Sequence, residues 1–416
     1  QDLAPGRHGG LILRHPVIVA AGGAGYGAEL LDAVGDALPG AIVTRGVTRE
    51  ARRGSRPPRM VPRADGLLHA VGTPNPGLEA VLRRQGPRWA VADVPVIVSL
   101  RADNADDIAA LARTLEMHPD ASGLELDLGA PDRGRGGEPI GLDVAASELA
   151  TVAARAATDL PLMVKLCSVA PDIRPIARAV VAAGADVISV SGASRGLALD
   201  SHATETALGS TYGWLSGPAA KPTGLRLTYE VAQVVKVPVV ASGGAHSLED
   251  VLDYLSAGAS AVGLATAVLA DPALPGRLGR ELAAWGLVKD IGDIREIIGR
   301  ALPQRRDGGS LRARYLRPGS GREHVLDRGS ELVPTDYAFE LGKNLALRIE
   351  QEEVGLDRDA PLQSGVDRLQ LSLLVQQRLQ PVLGHVQVVG LDVDELELLW
   401  VLLRHGLDQL HGGTAE

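Results

Sequence analysis

The chain has 416 residues, a net charge of −9, 45% hydrophobic residues and only 3% aromatic residues. That apolar share supplies a large core, while the acidic balance and scarce aromatics argue against a nucleic-acid partner. The single cysteine, Cys167, excludes an internal disulfide, a four-cysteine zinc site and a cysteine-ligated iron–sulfur cluster within this chain.

In chain order, residues 10–14 read as a short strand closing the bottom of a barrel. PVIVAAGG, residues 16–23, is a first β-branched strand with a small-residue turn, and a helix over 28–38 follows. AIVT, 41–44, is a second strand ending in Arg45. A long loop rich in arginine, proline and glycine runs from Gly46 to about Pro76, and a helix starts at Gly77. PVIVSL, 95–100, is a third strand with its helix over 105–115, and GLELDL, 123–128, is a fourth. A glycine-rich charged loop and a helix over 144–157 come next. PLMVKL, 161–166, is a fifth strand, followed by a helix with Ile173, Ile176, Ala177, Val180 and Val181 on one face and Gly184 at its end. DVISVS, 186–191, is a sixth, and a long loop leads to a helix over 224–235.

The next stretch is VPVVASGGAHSLEDVLDYLSAGASAVGLAT, 237–266, and it supplies strands seven and eight. Ser242, Gly243 and Gly244 follow the first of these strands. Glycines there let backbone N–H groups approach an anion, because no Cβ intervenes. Ser247 and Asp250 form a capping-box-like helix start, and Gly258 suits its end. The second strand ends in Ala265 and Thr266. Two such strand ends side by side would cradle a phosphate at the top of a barrel. An ordinary strand-to-helix turn is the alternative reading. A last helix lies over 275–285. Eight strand–helix units in strict alternation predict an α/β fold, a (β/α)8 TIM barrel over residues 1–304.

The motifs at these strand ends resemble, in order, the dihydroorotate dehydrogenase family, the soluble class-1 type that carries FMN on such a barrel. The resemblance spans about residues 9–304. PVIVAAGGAGYG resembles the first strand and its flavin-contacting turn, which implies cofactor contacts at Ala21 and Gly22. TRGVTREARRGSRPPRM with HAVGTPNPG resembles the second strand and long loop. MVKL places Lys165 where the family has a lysine at the flavin N1/O2 edge. GWLSGPAAKP resembles the glycine–serine–glycine–lysine–proline stretch, and SGG with AT resembles the phosphate site. IGDIREIIGRAL, 291–302, resembles the closing helix. The implied cofactor is FMN, its phosphate on Gly217, Gly243, Gly244, Ala265 and Thr266, with further contacts at Arg45, Ser99 and Ser191. Reduced flavin is electron-rich near N1 and O2, so a buried lysine there has a reason to exist. Otherwise Lys165 ends its strand and reaches solvent or a carboxylate.

The substrate side departs from the family pattern. Ala130 stands where the family has its cysteine or serine base, and alanine cannot take a proton. Asp127 and Asp132 replace asparagines, His69 replaces another, and Gly192 a fourth. Arg45 replaces a lysine and Trp214 a glycine, while Gly72 and Asn75 match. Ionised carboxylates only accept hydrogen bonds, so they repel an anionic substrate unless cations intervene. Arg45, Arg101, Arg133, Arg135 and Arg195 near the strand tops are candidates, or else solvated loop charges.

Three readings follow. The first is a flavin oxidoreductase acting on an altered substrate, with Asp132, Asp127 or His69 as base and Gly72, Asn75 and Arg195 as substrate contacts. The second is an FMN-binding dihydroorotate dehydrogenase with weak activity. The third is a non-catalytic barrel kept as an assembly subunit.

The family also implies a homodimer and, in some members, an electron-transfer flavoprotein subunit. No histidine cluster has metal-ligand spacing. Cys167 reads as a small buried hydrophobe and His246 as a solvent-facing loop residue. No apolar run reaches the roughly 18 residues of a membrane span, and no secretory pattern opens the sequence. A cytoplasmic location without membrane is therefore expected. Residues 305–416 resemble nothing in the family. Their leucine-rich stretches, and the absence of lysine after Lys343, fit a helical appendage, a poorly ordered extension or a shifted reading frame.

Overall fold

The computed structural model describes residues 1–303, apart from His8, residues 131–137, Ser201 and Ala203. Asp132, Arg133, Arg135 and the extension over 305–416 lie outside the described residues. The elements begin with β1 (Val17–Val19), α1 (Ala28–Val34), β2 (Ile42–Val43), β3 (Met60–Arg63), β4 (Gly66–His69) and α2 (Leu78–Trp89). Next come β5 (Val96–Leu100), α3 (Ala105–Glu116), β6 (Gly123–Asp127), α4 (Val144–Arg155), β7 (Leu162–Lys165), α5 (Ile173–Ala182) and β8 (Val187–Ser191). The last are β9 (Ser194–Gly196), β10 (Gly213–Ser216), α6 (Lys221–Ala232), β11 (Val239–Ser242), α7 (Leu248–Ser256), β12 (Ala261–Leu264), α8 (Thr266–Ala270) and α9 (Leu274–Val288).

Eight parallel strands close into a barrel in the order β1, β12, β11, β8, β7, β6, β5, β2. Their β-branched runs are buried on both faces, as a parallel sheet under helices requires. The helices start where sequence chemistry provides caps. Asn104 accepts from the Asp107 N–H, Asp143 from Ala146, and Ser247 and Asp250 complete the expected capping box. Inside the barrel, Ile18, Val43, Ile97, Met163, Val187 and Val240 pack on Leu3, Leu11 and Leu13 from the N-terminal segment. The core therefore plugs the barrel from below and leaves its upper end to function.

Three local expectations are corrected. Residues 10–14 form no strand; only an isolated bridge joins Ile12 to Asp2, and Leu11 and Leu13 act as plug residues. The stretch 291–302 is not a helix but a short 3-10 turn, Ile294–Glu296, capped by Asp293, and Gly299 leaves it at a φ of 75°. The two long loops are not irregular. They meet as a four-stranded antiparallel sheet in the order β3, β4, β10, β9.

Candidate active site

A cavity of about 1500 Å³ opens between the C-terminal ends of the barrel strands and this second sheet. The barrel supplies the floor and one side, and the second sheet supplies the roof. Arg45, Arg52, Arg59, Arg101, Lys165 and Arg195 line it, against Asp127 and Asp271 as carboxylates, so the lining is cationic.

One end is a cradle of backbone. Gly217, Gly243 and Gly244 all hold positive φ, at 91°, 126° and 76°. A Cβ on Gly244 would sit 2.8 Å from the Gly217 carbonyl oxygen and from the Lys221 nitrogen. One on Gly243 would sit 2.8 Å from the Gly192 nitrogen. Among the described residues, no backbone carbonyl accepts from the Gly243 or Gly244 N–H. Tyr254, on α7, fixes the turn from beneath by donating its hydroxyl to the Gly243 carbonyl at 2.5 Å.

The floor is ionic. Lys165 ends β7 in register with Asp127 on β6. Burial alone would push its ammonium down; the Asp127 and Glu125 carboxylates outweigh it and hold the group above the ordinary lysine value. The lysine lines the cavity, yet among the described residues its ammonium makes no hydrogen bond or ion pair. Asp127 accepts from the Gly129 N–H at 3.0 Å. Glu125 lies two residues deeper on the same strand face, 2% exposed, and accepts from the Ser99 hydroxyl at 2.8 Å. Burial pushes its carboxyl up, aided by Asp127 and opposed by Lys165, Ser99 and Ser189.

The roof presents a row of side chains in register. Met60 pairs with His69, His69 with Trp214, and Trp214 with Arg195, and all four line the cavity. His69 is held below its ordinary value, chiefly by burial and then by the Lys165 charge, which favours neutral imidazole. The Arg195 guanidinium lies 5.5 Å from the ring centroids of both Tyr212 and Trp214.

Of the residues singled out in the sequence, Ala21, Gly22, Arg45, His69, Gly72, Asp127, Lys165, Ser191, Arg195, Gly217, Gly243, Gly244, Ala265 and Thr266 line this one cavity, as does Ala130. Ser99 and Asn75 do not. Ser99 is fully buried and committed to Glu125. Asn75 organises its own loop, accepting from the Thr48 and Gly77 N–H groups and donating to the Thr48 hydroxyl and the Thr73 carbonyl.

Gly192, which stands where the family has an asparagine, is tightly packed. A Cβ there would lie 2.3 Å from the Ala220 carbonyl oxygen, so the position packs on the start of α6 and offers no ligand side chain. His246 is half-exposed but tied, its Nδ1 lying 3.0 Å from Asp250. Cys167 is buried as expected, and burial pushes its thiol up. Glu125 was missed, although a second carboxylate two residues before Asp127 marks the same strand face.

A family profile described as dihydroorotate dehydrogenase matches residues 8–285. Two relatives, from Desulforudis audaxviator and Trichlorobacter lovleyi, are each described as dihydroorotate dehydrogenase B (NAD+), catalytic subunit. Both are 36% identical to this chain, covering 70% of it and 95% and 96% of their own lengths. A crystal structure of DHODH from Eimeria tenella in complex with ferulenol superposes with a TM-score of 0.57 at 19% identity. It covers 69% of this chain and 85% of that one, and bears on the fold alone. With a closed barrel, a cavity above its strand ends and relatives matched nearly end to end, this chain belongs to the dihydroorotate dehydrogenase family of oxidoreductases.

Proposed function

We propose that the chain is an FMN-dependent oxidoreductase acting on CH–CH bonds of an anionic substrate other than dihydroorotate. One observation carries the flavin reading. Lys165, whose ammonium makes no hydrogen bond or ion pair among the described residues, lines the same cavity as a glycine cradle that no Cβ could enter. The residues fit FMN. Gly217, Gly243, Gly244, Ala265 and Thr266 would hold the phosphate through backbone groups, and Ala21, Gly22, Arg45 and Ser191 would border the ring system. When bound, flavin supplies a two-electron acceptor for hydrogen removed from adjacent carbons.

The chain's own residues do the rest. Lys165 offers positive charge at the floor, where electron density would accumulate. Ala130 takes no proton, so a base must come from elsewhere. His69 is the best placed: it lines the roof, is neutral by virtue of burial, and needs no change of state to accept a proton. Asp127 is the second candidate but already accepts from Gly129 and faces Lys165. Asp132 stays a proposal from the sequence, as does Gly72 as a substrate contact.

The relatives are named catalytic subunits, which supports an electron-transfer flavoprotein partner. A homodimer, a cytoplasmic location and the division at residue 304 are proposed on the family resemblance. No helix among the described residues is long and apolar enough to cross a membrane.

Purified protein tests the reading. It should carry the yellow flavin band, and anaerobic dihydroorotate should fail to bleach it. Colourless protein that ignores added FMN would leave only a scaffold. Rapid bleaching by dihydroorotate would restore the ordinary family substrate.

A further inference from the structure

The roof row joins two departures from the family pattern, His69 and Trp214, with one of the candidate strand-top cations, Arg195. His69, Trp214 and Arg195 stand on β4, β10 and β9, directly opposite one another in register. Register-paired residues point to one face of a sheet, and here that face lines the cavity. Three adjacent strands at about 4.8 Å spacing set the backbones of His69 and Arg195 roughly 10 Å apart, with the indole between them.

Arg195 is exposed at the cavity rim, yet it is not free to wander. Tyr212 and Trp214 both stack on its guanidinium at 5.5 Å, and both line the cavity. Such stacking uses the faces of the guanidinium plane and leaves its five N–H donors at the edge. Among the described residues none of those donors finds a hydrogen bond, and no carboxylate pairs with the charge. A planar fork with open donors, fixed by aromatic rings at the mouth of a cationic cavity, suits a bidentate carboxylate.

We propose that this row reads a flat, elongated carboxylic acid: its carboxylate on Arg195, its planar body along Trp214, and its far end toward His69. A single six-membered ring with a carboxylate covers less of the indole and reaches less far toward His69 than a longer planar acid held at the same guanidinium. An acid with a conjugated arm, or with two rings, extends further along the row. The choice of far end as the reacting end rests on the flavin reading above; recognition of the carboxylate does not.

Calorimetric titration of the full chain with trans-cinnamate, its neutral amide and orotate tests the assignment. The acid should bind at least tenfold tighter than the amide and tighter than orotate. Arg195→Gln should erase the difference between acid and amide. Arg195→Lys, which keeps charge but loses the fork and the stacking, should restore only part of it. Trp214→Gly should weaken the amide by about tenfold, a loss matching a stacking contact, and the acid by more, because one of the two rings that fix Arg195 goes with it. Flavin absorbance of each variant, measured alongside, should stay at the wild-type level. Equal affinity for acid and amide, tighter binding of orotate, no binding by the acid, or an unchanged acid affinity in Arg195→Gln would each overturn the proposal. Protein that holds flavin but not the acid refutes only this inference. Protein that binds the acid but no flavin refutes the oxidoreductase reading instead.

Discussion

Tyr254→Phe isolates one hydrogen bond beneath the glycine cradle. Tyr254 is fully buried on α7, and its hydroxyl donates to the Gly243 carbonyl at 2.5 Å. Burial, with Asp250 and Asp253 nearby, pushes the phenol above its ordinary value, so the hydroxyl keeps its proton at any working pH. Among the described residues no backbone N–H donates to that carbonyl. Phenylalanine therefore leaves this partly buried carbonyl without its donor, at about 1 kcal/mol. For domains of roughly 150–250 residues each kcal/mol lowers Tm by about 2–4 °C, so a loss of a few degrees is expected.

The same change frees the turn that would meet the phosphate. FMN affinity should fall by about tenfold, equivalent to ~1.4 kcal/mol. Riboflavin, which lacks the phosphate, should bind the variant and the wild type equally. Urea unfolding and paired titrations with the two flavins read both effects. Wild-type stability in the variant, or equal weakening of FMN and riboflavin, would refute the account of the cradle.

Gly244→Ala forces a side chain into a backbone at φ 76°, with its Cβ 2.8 Å from two backbone atoms. It should cost about 1–3 kcal/mol and abolish FMN binding while the circular dichroism of the barrel persists. His69 carries a lowered folded value, so the unfolded chain binds its proton more readily. Stability should therefore rise with pH until the ordinary value of 6.5 is passed, and His69→Gln should flatten that part of a urea–pH profile. Glu125 has the opposite sign. Its folded value is raised, so stability falls as pH climbs above the ordinary 4.5, and Glu125→Gln should exceed wild type in urea at pH 8 yet match it below 4.5.

The barrel was legible because each of its strands is a local signal. VIV, VIVSL and VISVS are β-branched runs bounded by turns, and α5 shows its buried face in spacing alone. The glycine cradle was legible for the same reason, since SGG must serve a close approach wherever it lies. The roof was not. MVPR and SRG are short and show no alternation; β3 pairs with β4 in a local hairpin, but that hairpin joins β10 and β9 only when Leu67 meets Ser216 and His69 meets Trp214 across the fold. Pairing at that separation leaves no local trace. Asn75 and Ser99 were named through the family resemblance, and the fold points their side chains away from the cavity, one toward Thr48 and the other toward Glu125.

The roof is fastened unevenly to the barrel. At the cradle end the Thr266 hydroxyl donates to the Ser216 hydroxyl at 2.8 Å, and Ser216 in turn donates to the Leu67 carbonyl at 3.3 Å. Gly66 and Gly217 approach so closely that a Cβ on Gly217 would sit 2.7 Å from the Gly66 Cα. Substitutions there would disturb barrel, cradle and roof together. At the far end the Ser168 hydroxyl donates to the Ala193 carbonyl, two residues before Arg195, but no hydrogen bond among the described residues runs through the row itself to the barrel. Met60 is 55% exposed and Tyr212 57%, and among the described residues the Arg195 guanidinium meets ring faces alone. A glycine-to-tryptophan change at 214 can be absorbed on that side, because the indole lies along the roof beside a large cavity. On the reading proposed above, specificity would be carried by the loosely held end of the second sheet, with the cradle set apart from it by the hydrogen bonds that fix the other end.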